Sequence, residues 1–147
     1  MPGILAYAIG GAVAGSVYYL LKQMNNDLAR IESKTKKIYI IRDNIKRKRY
    51  SAKKFKQLLK TEHDNAFNIW VNLKNNAQKI ADAVNEVIQA IRSGIYRGKQ
   101  LKNLKSTRKK LIQEQKKATF IKRQAHKKWD KLRDEYLSAK RQLNSLY

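Results

Sequence analysis

From Lys22 to Tyr147 the chain contains two glycines, Gly94 and Gly98, and no proline. Sandwiches and α/β folds need turn-formers at every break, so a stretch this poor in them is restricted to long helices. The apolar residues agree. Met24, Leu28, Ile31, Ile38, Ile41 and Ile45, with Thr35 filling the gap, recur at three, four and seven, which is one face of a helix. A second stripe starts at Phe55, Leu58 and Leu59 and runs through Trp70, Leu73, Ile80, Val84 and Val87 to Ile95. A third runs from Leu101 and Leu104 through Leu111, Ala118 and Ala125 to Trp129, Leu132, Tyr136, Ala139, Leu143 and Leu146. The three–four alternation after Trp129 is the signature of a helix seam, which Arg108, Gln115 and Lys122 interrupt further upstream.

The expected fold is therefore all-α. Its body, residues 22–147, divides into helices at about 22–50, 51–93 and 99–146. Ser51 is placed as an N-cap after a bend, and Gly94 as a helix-ending residue in the left-handed conformation. The last two helices, joined by a short glycine turn, are expected to fold back as an antiparallel αα-hairpin.

Before the body stands a different kind of sequence. Gly3 to Leu21 is uncharged, and as a helix it would reach roughly 28 Å, close to the hydrocarbon thickness of a bilayer. Residues 1–21 are thus expected to be an apolar helix that spans a membrane or lies buried in a protein assembly. Gly11 and Gly15 form a G-x-x-x-G pair suited to close helix packing. Tyr18, Tyr19 and Lys22 fall where aromatic and basic anchors meet the headgroups. Basic residues follow the run and none precedes it, so the body should face the cytoplasm or the interior of a particle budded from it.

Charge narrows the partner. The chain has 34 Lys and Arg against 11 Asp and Glu, a net +23. Residues 22–63 carry +10, residues 64–95 are neutral, and residues 96–147 carry +13. Such self-repulsion makes sense beside a polyanion. The candidate nucleic-acid-binding residues are Lys46, Arg47, Lys48, Arg49, Lys53, Lys54 and Lys56 in one cluster. In the other are Arg108, Lys109, Lys110, Lys116, Lys117, Lys122, Arg123, Lys127 and Lys128. Regularly spaced cations without a base-reading motif suit the phosphate backbone and carry no sequence preference. A solvated lysine-rich helix normally balances Lys with Glu, and here Glu is scarce. Anionic lipid would account for the cations nearest the apolar run, but those beyond residue 99 lie farther away than a Debye length of about 8 Å.

Catalytic chemistry is not suggested. Glu62-His63-Asp64 points its side chains in different directions on a helix, and no second histidine stands four residues away. Both His63 and His126 are expected at the surface. Asp82 and Glu86 are expected to face a cation of the third helix. No cysteine, metal set or cofactor motif is present.

The order of parts is similar in general plan to small structural proteins of lipid-containing viruses, a likeness of layout without matching residues. It implies a non-enzymatic, multi-copy protein of a virion membrane or nucleocapsid that binds lipid and nucleic acid. A different class also fits, a helical scaffold subunit of a membrane complex whose basic surface contacts acidic lipids or proteins. A soluble ribonucleoprotein subunit with a buried N-terminus is a third.

Overall fold

The computed structural model describes Ala8 and residues 15–147, and every regular element in them is helical. Helix α1 spans Gly15–Lys46, α2 spans Ala52–Arg92 and α3 spans Gly98–Leu146. Their residues divide into two compact units, one of Met1–Asn25 with Lys74–Lys122 and one of Asn26–Leu73 with Arg123–Tyr147.

In the unit formed by Asn26–Leu73 and Arg123–Tyr147, ring contacts set the pairing of α2 with α3. Trp70 meets His126, Phe67 meets Trp129, and His63 meets both Trp129 and Tyr136. Partners rise along one helix as they fall along the other, so the two segments are antiparallel. Ion pairs bring in α1. Lys34 Nζ lies 2.7 Å from Glu62 Oε2, Lys128 Nζ 3.2 Å from Glu32, and Arg42 Nη1 2.8 Å from Glu135. Arg42 also donates to Ser138 Oγ at 3.4 Å. Residue 32 of α1 pairs with 128 of α3 and residue 42 with 135, so α1 runs alongside α3 in the same direction and opposite to α2. The core they enclose contains Ile31, Ile38, Ile45, Phe55, Leu59, Leu73 and Leu132, each almost wholly removed from water. Burying side chains of this size contributes about 1.5–3 kcal/mol apiece.

Asp27 is a charged residue inside this unit, 5% exposed. Burial pushes its carboxyl above the usual range, and the Arg30 guanidinium 3.4 Å away partly offsets that.

The other unit has its own core, from Val17, Leu21 and Met24 of α1, Ile80, Val84 and Val87 of α2, and Leu104, Leu111 and Ile121 of α3. A small cleft of about 160 Å³ lined by Val17, Tyr18, Thr107, Lys110 and Leu111 marks where α1 meets α3 in it. Ala8 is helical and buried.

Four expectations need adjustment. Leu21 is not an element boundary, because α1 runs unbroken from Gly15 through Lys22. Among the described residues no helix is long and apolar enough to cross a membrane. Gly11 and most of the 3–21 run lie outside the described residues, but Val17 and Leu21 at its end are covered by protein. The α3 seam passes through Thr107 and Ile121, both buried, so Lys122 stands exposed and Arg108 half-exposed, beside the seam. A helix of 3.6 residues per turn drifts off a strict heptad, and the core takes the uncharged neighbour at each of these positions. Ile95, assigned to the second stripe, lies in the turn after α2 and is 76% exposed.

Candidate nucleic-acid interface

The cluster Lys46 to Lys56 is built on the junction between α1 and α2. Helix α1 ends in a Schellman motif, with the Arg49 amide donating to the Asn44 carbonyl at 3.2 Å and the Lys48 amide to the Ile45 carbonyl at 3.0 Å. The motif demands a left-handed residue, and here that residue is Lys48, at φ 50°. Three residues after Lys48, Ser51 caps α2, its Oγ accepting from the Lys54 amide at 3.2 Å and its carbonyl from the Phe55 amide at 3.1 Å. The Tyr147 hydroxyl donates to the Tyr50 carbonyl at 2.7 Å. Phe55 fills the space below, with Tyr50 and Tyr147 edge-on at 5.5 and 6.0 Å. A capped, aromatic-pinned turn therefore presents the cations.

Lysine at a left-handed position is strained where glycine is not. Lys48→Gly is expected to raise stability by roughly 0.5–1 kcal/mol, the left-handed penalty less glycine's extra unfolded-state entropy. A thermal midpoint that falls instead would show that the turn tolerates Lys48 without strain.

All seven cations of the junction are exposed, and only Arg47 has a carboxylate partner, Asp43 at 3.4 Å. Lys54 Nζ sits 4.4 Å over the Tyr50 ring. Of the α3 set, Arg123, Lys127 and Lys128 belong to the same unit as the junction. They are not beside it, since Lys128 pairs with Glu32 while Tyr147 marks the junction. About 28 Å of helix separates residues 128 and 147. Arg108, Lys109, Lys110, Lys116, Lys117 and Lys122 belong to the other unit, all exposed except the half-exposed Arg108. Lys117 reaches Glu114 at 3.3 Å. Thus thirteen of the sixteen sequence-predicted cations have no ion-pair partner among the described residues.

Several residues take other places than their sequence suggested. Lys34 and Arg42, indistinguishable by type from the free cations, are committed to ion pairs between helices. His63 is not simply a surface residue. Its ring stacks on Tyr136 at 4.3 Å and tilts against Trp129 at 5.4 Å. Asp82 accepts from Gln78 at 2.8 Å, and no α3 cation pairs with it or with Glu86 among the described residues. Trp70 and Trp129, by contrast, are buried, as their places on the apolar stripes predict. Of the aromatics at the end of the apolar run, Tyr18 and Tyr19 are 72% and 59% exposed, and Lys22 is exposed beside them.

Two residues absent from the sequence reading line an open cleft with Lys56. They are Lys60 and Lys140, and the cleft measures about 570 Å³. Lys60 could have been found from its spacing of four after Lys56, but nothing in sequence brings Lys140 to them. No family model, curated protein or solved structure matches this chain.

Proposed function

We propose that this chain is a non-enzymatic structural protein that holds nucleic acid through its phosphates, in many copies, against a membrane, as in a virion membrane or nucleocapsid layer. The observation that supports it is the set of thirteen exposed or half-exposed cations with no ion-pair partner among the described residues. Unpaired cations in water cost self-repulsion and return nothing to the fold, whereas each releases a condensed counterion when it meets a phosphate. The cations lie on several faces and both units, which suits a partner that is long and contacted without base reading.

Membrane attachment is assigned to residues 3–21. Within that run Ala8, Val17 and Leu21 are covered by protein, and among the described residues no helix is long and apolar enough to cross a membrane. The exposed Tyr18, Tyr19 and Lys22 are the residues suited to the headgroup level. Co-flotation with neutral liposomes in high salt, with and without residues 1–21, tests this part. High salt suppresses the polybasic contribution, so flotation of the full-length chain alone is the expected result. If neither form floats, the apolar run is a protein–protein segment and the membrane half of the reading is wrong.

A further inference from the structure

We propose that the cleft between α2 and α3, in the unit formed by Asn26–Leu73 and Arg123–Tyr147, seats the phosphates of a single nucleic-acid strand. This rests on the nucleic-acid reading above and gives it a particular site and strandedness.

Lys56 and Lys60 stand one turn apart on the α2 wall, and Lys140 stands on the α3 wall. All three are exposed, and none has a carboxylate partner among the described residues. Lysines four apart on one helix repel each other, and a third ammonium facing them adds to that. Elsewhere in this unit the inward-facing cations are neutralised, as Lys34 is by Glu62 and Arg42 by Glu135. Here the one carboxylate on the lining is Asp64, and it lies 3.3 Å from His63 Nδ1. The cleft is thus a concave site with an excess of two positive charges, of a volume typical of small-ligand pockets.

The rest of the lining fixes the lysines in place. The His63 ring stacks on Tyr136 with centroids 4.3 Å apart, and Lys140 Nζ lies over the Tyr136 ring, 5.4 Å from its centroid. Leu59 and Leu143 close the floor and are almost wholly buried. Tyr136 is thus already engaged by His63 and Lys140, and the groups left to meet a ligand are the ammoniums, so the recognition is of phosphate, with the bases passing close by. A single strand can bend its backbone into such a cleft. A duplex carries its phosphates on the outside of a stiff cylinder and reaches only the rim. The cleft also continues the basic junction, because Lys56 belongs to both.

The test is binding of a 12-nucleotide single-stranded DNA and of the matching duplex to the full chain and to Lys60→Gln/Lys140→Gln. Both side chains are exposed, so the variant should keep its circular dichroism and thermal midpoint. A single-strand contact contributes a slope of about 0.7, so losing two should weaken single-strand binding about tenfold at 0.15 M salt. Duplex binding should change less than threefold. A strand carrying 4-thiothymidine should photocross-link to the peptide containing Tyr136 in the full chain. Equal losses on single strand and duplex, or cross-links confined to other peptides, would overturn the cleft while leaving nucleic-acid binding intact. Failure of the unsubstituted chain to bind either DNA would overturn both.

Discussion

Replacing Phe55 by alanine is expected to lower the unfolding free energy by about 3–5 kcal/mol. Its ring is fully buried and is the largest side chain so enclosed. It touches Tyr50, just before Ser51, and Tyr147, the last residue of the chain, edge-on. Such aromatic pairs add about 0.5–1.5 kcal/mol beyond area alone. The surrounding helices are held by the Schellman motif and the Ser51 cap, so the cavity cannot collapse cheaply. Phe55→Leu, which keeps most of the volume, should cost less than half as much. Urea unfolding of both variants reads the difference. A loss below about 1 kcal/mol for alanine would mean that the ring does not pack as described.

Neutralising Lys46, Arg47, Lys48 and Arg49 together to glutamine should weaken duplex DNA binding several hundredfold at 0.15 M salt. Each phosphate contact contributes a slope of about 0.9, so between 1 M and 0.15 M salt it is worth a factor of about five. Four exposed side chains supply four such factors. Only the exposed Arg47–Asp43 pair is lost from the fold, and exposed pairs of that kind contribute little. The thermal midpoint should therefore hardly move while affinity collapses. A variant that binds like the original chain would remove the junction from the interface.

The helical fold was legible because two signals agreed. The turn-formers are missing where helices run, and Gly94, at φ 72°, stands where α2 gives way. Ser51 announced the start of α2 through an ordinary cap, but the left-handed conformation of Lys48 was invisible, since lysine carries no preference for it. The seam of α3 was legible from Trp129 onward and misplaced upstream, where Arg108 and Lys122 sit next to Thr107 and Ile121. A heptad template cannot choose between adjacent positions, whereas desolvation of a charge can. The site was legible as charge and not as geometry. Lys34, Arg42 and Lys56 look alike in sequence, yet the first two face glutamates of neighbouring helices and the third faces a cleft. Pairings between residues as distant as Arg42 and Glu135 depend on helix register, which composition does not encode.

The central claim is that this basic body grips phosphate, and the salt dependence of its affinity tests that most directly. Binding of the full chain to duplex DNA, titrated from 0.05 to 0.5 M salt, should give a log–log slope near −7, as expected for about eight phosphate contacts. The Lys46–Arg49 variant should give a slope near −3.5 by the same count. A slope near zero for the full chain would contradict the claim, because the unpaired cations would then be serving something other than nucleic acid.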